Sequence, residues 1–378
     1  MEKKKKKRVV IAMSGGVDSS VAAALLCEEG YEVIGMTMQL WDYGEIEEKT
    51  KVGEPSNPEG SRGSCCSLED VYDARRVCDK LGIPFYVVNM EESFKREVVD
   101  YFVEGYQGGK TPNPCVKCNE VMKFEILMRK AMELEADYLA TGHYAGITKD
   151  SNGIFHLCKG KDESKDQSYF LFTMNQDELS KVLFPLGGLK KVEVREHAKR
   201  LGLRVHEKKD SQEICFIEDD SYSNFLENAF ETKGAKLSSG NIIDTAGNIL
   251  GKHLGLYRYT VGQRKGLNIG GPGGPYYVTT IDTQSGNLVV GSDNDLFSRG
   301  LKASGLRWTH SPLVEGAEIF IKLRYGHKGA RAVIKKIEDD KIELVFDNPE
   351  RAVAPGQAVV FYKGSELFGG AWIECETR

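Results

Sequence analysis

The chain has 378 residues, of which 40% are hydrophobic and 28% charged. That is the composition of a soluble globular protein long enough for about two or three domains. No apolar run approaches the ~20 residues of a membrane span. A net charge of −5, from 51 basic against 56 acidic side chains, excludes a generally basic surface, so any polyanion contact must come from a local patch.

The start, Lys3 to Arg8, is basic, with no signal-like apolar segment behind it; it reads as a solvated tail, a weak contact with RNA phosphate being the alternative. Val9 to Ala12 is a short β-rich run that stops at Ser14-Gly15-Gly16, and Val21-Ala22-Ala23-Ala24-Leu25-Leu26 follows with helical character. This is strand, tight glycine turn and helix start. Paired glycines let a backbone turn sharply and approach a ligand. Free N–H groups at the positive end of a helix dipole make an anion seat. Ser14, Ser19 and Ser20 add hydroxyls, and Asp18 lies inside the loop. No G-x-x-x-x-G-K-[ST] occurs, so the loop is not of the Walker type. It resembles the S-G-G-x-D-S loop of the ATP pyrophosphatases, the PP-loop superfamily. That resemblance makes Ala12, Met13, Ser14, Gly15, Gly16, Val17, Asp18 and Ser19 the expected nucleotide-binding residues.

Gly30 is the expected helix stop. Tyr31 to Met38 reads as a second strand, and 42 to 66 as a long loop with little hydrophobic pattern. Ser67-Leu68-Glu69-Asp70 reads as an N-cap box for a helix to about Leu81. Pro84 to Val88 is a third strand, Phe94 to Tyr106 has helical spacing, and Asp137 to Thr141 is a further strand ending in Gly142-His143. Strands alternating with helices predict an α/β fold, a doubly wound parallel sheet with helices on both faces. Ser14-Gly15-Gly16, Met38 and Gly142-His143 then all fall at strand carboxyl ends, where such sheets hold their ligands. From about residue 235 short apolar runs are broken by Gly, Asn and Asp, and the last of them, between Ala332 and Tyr362, predict an antiparallel barrel or sandwich at the C-terminus.

The nine cysteines, an odd number with no secretory signal, suit a cytoplasmic chain with reduced thiols, whose close pairs serve catalysis or metal binding. Thr111-Pro112-Asn113-Pro114-Cys115-Val116-Lys117-Cys118-Asn119 puts two thiols near a predicted helix start, where thiolate is favoured, with Lys117 as a positive neighbour. Cys215 is a third candidate. Cys27, Cys78, Cys158 and Cys375 read as core residues, and Cys65-Cys66 as an idle pair in the long loop.

The motifs Ser14 to Ser19, Asn113-Pro114-x-x-x-Cys118-Asn119, Ala140-Thr141-Gly142-His143-Tyr144, Lys165-Asp166-Gln167-Ser168-Tyr169, Cys215-Phe216-Ile217, Gly262 to Leu267 and Pro355-Gly356-Gln357 occur in that order. Nearly end to end, the chain resembles the tRNA-specific 2-thiouridylase (MnmA) family. The resemblance implies a PP-loop catalytic domain over 1–218, a small central tRNA-binding domain over 219–290 and a C-terminal antiparallel β-barrel over 291–378. It implies ATP-dependent adenylation of the 2-oxygen of the wobble uridine, with Mg2+, followed by sulfur transfer. The residue types suit that chemistry: a uracil oxygen is a poor leaving group, AMP is a good one, and thiolate or persulfide supplies the nucleophile.

By the same resemblance Cys118 corresponds to the nucleophile and Cys215 to the persulfide carrier, while Met38 and Gly142 correspond to ATP contacts. Asn113, Pro114 and Cys115 border the target base. His143, Lys165, Asp166, Gln167, Arg324, Tyr325 and Gln357 are the expected tRNA contacts. An anticodon-loop substrate is read by flipping and stacking of single-stranded bases. The expected partners are tRNA and a sulfur-donor protein, such as a cysteine desulfurase or a sulfur relay protein; the chain is expected to be monomeric and away from membranes.

One departure bears on mechanism. Many family members carry Asp where this chain has Cys115, and a thiol of reference pKa about 8.5 does not replace a carboxyl of about 3.9. The change creates Cys115-x-x-Cys118, with Cys215 as a third ligand for an iron–sulfur (4Fe-4S) cluster with one open iron. Zinc with His143 as fourth ligand, and a cluster-free persulfide route, are the alternatives. Residues 211 to 215 read Ser-Gln-Glu-Ile-Cys where Ser-Thr-Gly-Ile-Cys is common, which weakens the carry-over to Cys215. Two other classes remain open: a synthetase adenylating a small carboxylate or amide, which leaves Cys118, Cys215 and the β-rich end without a role, and a tRNA- or cluster-binding module with a dead nucleotide site, against which the intact Ser14 to Ser19 loop argues.

Overall fold

The computed structural model describes residues 6–41, 68–208, 214–217, 222–234, 238–269 and 274–377. The predicted loop 42–66, Cys65-Cys66 and the Ser67 cap lie outside the described residues. The chain divides into two units, Met1–Val98 with Cys115–Asp220, and Val99–Pro114 with Ser221–Arg378.

The first unit is built on β1 (Arg8–Ala12), α1 (Val17–Glu28), β2 (Glu32–Gln39), α2 (Leu68–Leu81), β3 (Phe85–Asn89), β4 (Tyr138–Ala140), a hairpin of β5 (Ala145–Lys149) and β6 (Phe155–Lys159), β7 (Val182–Leu183) and α3 (Lys191–Arg200). Five parallel strands lie in the order β3-β2-β1-β4-β7. Val9, Val10 and Ile11 are wholly buried. A parallel strand covered on both faces must be apolar on both, and each such side chain contributes about 1.5–3 kcal/mol over its exposed state. Val9 and Ile11 join Ala22, Leu26, Ala74 and Val194, from α1, α2 and α3, in one core. Met128–Glu133 packs against β4. Gly30, at φ +87°, donates its N–H to Cys27 O at the end of α1, as predicted for a helix stop.

β1 is central. The chain builds out from it to β2 and β3 on one side and to β4 and β7 on the other, so the strand order reverses between β1 and β4. That reversal opens a crevice at the carboxyl ends of these two strands. Ser14-Gly15-Gly16 leaves β1 there, and Thr141-Gly142-His143 leaves β4.

The helix entered at Pro114–Lys117 widens to π geometry over Cys118–Leu127 and returns to α at Met128–Glu133. Wide turns of this kind are frequent at functional sites.

The second unit holds a four-stranded sheet, ordered β10-β11-β8-β9, from β8 (Gly240–Asp244), β9 (Ile249–His253), β10 (Tyr277–Asp282) and β11 (Asn287–Gly291). Its hydrophobic side is Ile242, Val278, Leu288 and Val290. The β8–β11 pairing is parallel. After it come β12 (Phe297–Trp308), β13 (Glu318–Lys322), β14 (Ala330–Glu338), β15 (Lys341–Arg351), β16 (Ala358–Lys363) and β17 (Glu366–Thr377). These pair antiparallel in the order β12-β15-β14-β13-β16-β17, and β17 pairs with β12 to close a six-stranded barrel. Closure leaves no open edge and encloses Leu301, Ile321, Ile334, Leu344, Val359, Phe361 and Ala371.

One predicted core residue is corrected. Cys375 is exposed, although it follows buried Ile373 at strand period. A register shift in the β12–β17 ladder, between Lys302 opposite Cys375 and Ala303 opposite Ile373, interrupts the alternation. Cys78 is wholly buried, and Cys27 and Cys158 are half-buried. Among the described residues no helix is long and apolar enough to cross a membrane.

Candidate active site

The glycine turn after β1 is shaped by close backbone packing. Gly15 has φ +70°, and a Cβ there would collide with the Asp70 carbonyl of α2. Both features require glycine. Met13 is tied to β2 by its N–H to Met36 O, 2.8 Å, and by Thr37 Oγ1 to its own carbonyl, 2.8 Å. The side chains of Met13 and Val17 are buried in the core, so what they offer a ligand is backbone. Ser14 N–H donates to Ser19 Oγ at 3.2 Å, and Ser20 Oγ donates to Gly16 O at 2.7 Å. The loop therefore curls over the start of α1, whose first N–H groups lack acceptors within the helix. Ala12 and Met38 are half-buried beside it.

Gly142 presses on the same helix start. A Cβ at Gly142 would stand 2.8 Å from Ser19 N and 3.0 Å from Asp18 C. The two predicted nucleotide-binding segments thus meet across the crevice.

Three side chains that sequence reasoning did not single out complete this seat. Lys191 Nζ, from α3, donates to both carboxylate oxygens of Asp18 at 2.8 Å, and Tyr144 OH donates to Asp18 Oδ1 at 2.7 Å. Lys208 Nζ donates to Asp70 Oδ1 at 2.5 Å and Asp73 Oδ2 at 2.8 Å, with Gly15 O at 3.4 Å. Burial would lower the Lys208 pKa, but Asp70 and Asp73 outweigh it and hold the amine above its ordinary value. Two lysines from distant segments thereby stand at a loop that has none of its own, each paired with carboxylates. Nothing local in the sequence marks either, since Lys191 is 173 residues from Asp18.

The cysteine segment is graded in exposure. Pro112, Asn113 and Pro114 are buried, Cys115 is exposed, Val116 is buried and Cys118 is half-buried. Pro114 opens the helix, a position that tolerates the missing N–H. Cys115 and Cys118 are three residues apart on it, the spacing that puts side chains on one face. Lys117, predicted to favour thiolate, is paired with Glu120 at 3.0 Å, which offsets its charge.

Next to Cys118 a polar chain runs to the end of β4. Asn119 Nδ2 donates to Phe170 O at 3.1 Å, and Lys123 Nζ donates to Asn119 Oδ1 at 2.8 Å and faces His143 Nε2 at 3.5 Å. His143 Nδ1 lies 2.7 Å from Thr141 Oγ1. An ammonium facing Nε2 puts the ring proton on Nδ1, which donates to Thr141. Burial, reinforced by Lys123, pushes His143 well below the ordinary imidazole pKa. Its ring is buried against Phe124 and Phe184.

Cys215 is half-buried, and its neighbour Phe216 anchors the segment by packing on Trp41 and Phe94 with ring centroids 6.3 and 5.8 Å away. Residues 209–213 and 218–220 lie outside the described residues. No three of Cys115, Cys118, Cys215 and His143 lie within 4.8 Å of one another. A single tetrahedral zinc ion with thiolates at about 2.3 Å needs ligand atoms about 3.8 Å apart, so the described arrangement does not fit the zinc alternative. A four-iron cluster spaces its thiolates more widely than one ion does.

The predicted tRNA-contact residues fall in distinct settings. Asp166 is buried, and Gly160 N, Ser168 N and Ser168 Oγ donate to its carboxylate. Gln167 pairs with Tyr144 through both backbone and side chain, and Lys165 beside them is half-buried. In the second unit Arg324 and Tyr325 are exposed on the β13–β14 turn, which His327 braces through Glu350 at 3.0 Å and through the Leu323 N–H. Gln357 Nε2 donates to Thr111 O at 2.9 Å.

Comparison with known proteins accounts for nearly the whole chain. Three family descriptions match in succession: the tRNA methyl transferase HUP domain over residues 7–219, the tRNA methyl transferase PRC-barrel domain over 223–292, and the aminomethyltransferase beta-barrel domain over 298–373. A tRNA-specific 2-thiouridylase MnmA of Geobacter metallireducens is 52% identical over 375 residues, 99% of this chain and 98% of that protein. Proteins of the same name from Geotalea uraniireducens and Carboxydothermus hydrogenoformans are 51% and 48% identical over 96% of this chain, and the matches cover 93% and 96% of those proteins. With a glycine turn at the β1/β4 crevice, cysteines at the head of a helix and this end-to-end likeness, the chain belongs to the tRNA-specific 2-thiouridylase (MnmA) family.

Proposed function

We propose that this protein is a tRNA-uridine 2-sulfurtransferase that adenylates the 2-oxygen of the wobble uridine with ATP and replaces it by sulfur. The observation that carries the reading is the seat between β1 and β4. There Gly142 closes on the first turn of α1, and Lys191 and Tyr144 hold Asp18. The glycine cradle and the α1 N–H groups suit a triphosphate, and the family implies ATP use with Mg2+. Magnesium takes most of its ligands from phosphate oxygens and water. Residues 12–19, Met38 and Gly142 would hold the nucleotide.

Attack of the uridine oxygen on the α-phosphate releases pyrophosphate. The Cys118 thiolate attacks a Cys215 persulfide and forms a Cys118–Cys215 disulfide; the hydrosulfide released attacks carbon 2, AMP leaves with the original oxygen, and an external dithiol reduces the disulfide for the next turnover. Cys118 is the proposed nucleophile and Cys215 the sulfur carrier, with Asn113, Pro114 and Cys115 beside the base. His143, Lys165, Asp166, Gln167, Arg324 and Tyr325 are proposed to serve the tRNA site, the buried His143 and Asp166 by holding its loops in shape. Domains over 1–218, 219–290 and 291–378, a monomeric state, a cytoplasmic location and a separate sulfur-donor protein belong to the same proposal.

Cys115 favours a second version of the sulfur step. Three thiolates, two of them on one helix face, suit an iron–sulfur cluster that leaves one iron open, and such a cluster would supply the sulfur-carrying position. The test is anaerobic purification with iron and acid-labile sulfide analysis, alongside 2-thiouridine formation in unmodified tRNA with ATP. Wild type forms 2-thiouridine and releases pyrophosphate, and Cys118→Ala does not. Iron lost together with activity in Cys115→Ala supports the cluster. Full activity without iron, surviving in Cys115→Ala, returns the protein to a persulfide route. No thiolation by wild type in either preparation overturns the functional reading.

A further inference from the structure

We propose that Gln357 is a positioning residue that sets the segment bearing Asn113 and Pro114, acting through Thr111; its catalytic consequence rests on the function proposed above. Gln357 lies in the Pro355-Gly356-Gln357 corner ahead of β16, and its side-chain amide donates to the Thr111 carbonyl at 2.9 Å. Thr111 returns its N–H to Pro355 O at 2.8 Å. Both backbone polar groups of Thr111 are thus held by one corner of the barrel. That corner is itself fixed to β17, since Gly356 N–H donates to Ile373 O at 2.9 Å and Ile373 N–H to Gln357 O at 2.8 Å.

Steric fit supports the same reading. Gly356 has φ +88°, and a Cβ there would stand 2.9 Å from Lys110 Cβ and 3.0 Å from Thr111 N. Two further glycines fit the same stretch. Gly109, at φ +69°, would place a Cβ 2.7 Å from Thr283 Cγ2 and 3.2 Å from Ile281 Cγ2, at the turn after β10. Gly105 would place one 2.7 Å from Pro112 Cγ. Residues 105–112 are therefore held by the small sheet at Gly109 and by the barrel at Thr111. Pro112, Asn113 and Pro114 follow directly, all buried, and Pro114 opens the helix that carries Cys118.

A side chain that donates one amide N–H to a protein carbonyl fixes the geometry of that segment, and a reacting group displaced by about 1 Å can lose about 100-fold in rate. The test uses Gln357→Glu, which keeps shape but cannot donate, and Gln357→Leu. Amide exchange across residues 108–118 is expected to rise in both variants and to stay unchanged across β13 and β14. With the same proteins, kcat for thiolation falls about 10–100-fold, while the Kd for tRNA stays within about twofold of wild type. Unchanged exchange across 108–118 overturns the clamp. A Kd that rises in both variants, more steeply for Gln357→Glu and with unchanged kcat, overturns it in favour of a direct tRNA contact. Increased exchange with an inactive wild type would leave the clamp standing and remove the function assigned to the segment.

Discussion

Lys191 Nζ lies 2.8 Å from both carboxylate oxygens of Asp18, joining the head of α3 to the first turn of α1 across 173 residues. An acidic residue inside the proposed phosphate seat would repel phosphate if it stood alone. Here Asp18 has Lys191 on both oxygens and Tyr144 on one, which offsets its charge and fixes the ammonium group beside the loop.

Removing that ammonium leaves Asp18 without its charged partner, with the Tyr144 hydroxyl still donating. Truncating one member of a buried, hydrogen-bonded charge pair costs about 2–5 kcal/mol; with Asp18 32% exposed the lower end applies. Lys191→Met is expected to lower kcat/KM for ATP about 30-fold, read by pyrophosphate release, with tRNA affinity within about twofold of wild type. Unaltered pyrophosphate release would make the pair structural only.

Gly142→Ala is expected to abolish ATP binding with little loss of fold, because its Cβ would stand 2.8 Å from Ser19 N and the α1 start would have to shift. Gly188→Ala, with open space around its Cβ, is the control and should bind nucleotide normally. Calorimetric titration with a non-hydrolysable ATP analogue reads both; equal affinities would refute a close approach of β4 to the seat.

His143 contributes a pH dependence of known sign. Its folded pKa lies well below the ordinary 6.5, so the unfolded chain takes up the proton first. The contribution is complete above about pH 6.5 and is lost as pH falls toward the depressed folded value. Wild type should therefore lose thermal stability below about pH 6.5 more steeply than His143→Gln. Parallel melting-temperature profiles would show that the ring is not held neutral.

Thiol reactivity should follow burial. Burial pushes the Cys78 thiol up to about 12, whereas Cys115 and Cys375 are exposed. Thiolate is the reactive form, so iodoacetamide at neutral pH should label Cys375 and Cys115 well before Cys78, as peptide mapping will read. Rapid labelling of Cys78 in the folded protein would contradict the packing of α2.

Much of the site was legible locally. A short β-rich run, two glycines and a helix-former run need only neighbouring residues to be read, and Val9–Ala12, Ser14–Gly16 and Val17–Glu28 take those forms. Gly142 was legible as a strand end because Tyr138–Ala140 precedes it. Cys375 was misread because a register shift depends on the partner strand β12, which strand periodicity does not see. Asp166 and His143, tRNA contacts by the resemblance, are each buried among protein partners, which no local pattern marks.

The sequence by itself determined the order of elements, the glycine turn, the cysteine segment and the β-rich C-terminal third, since propensity, turn chemistry and apolar periodicity act over a few residues. Only the tertiary structure decided which distant groups complete the seat and the loop: Lys191 on Asp18, Lys208 on Asp70 and Asp73, and Gln357 on Thr111. Those pairings depend on strand order and barrel closure, which bring together residues more than a hundred positions apart. A charge or an amide carries no local mark of the partner that the fold will place beside it.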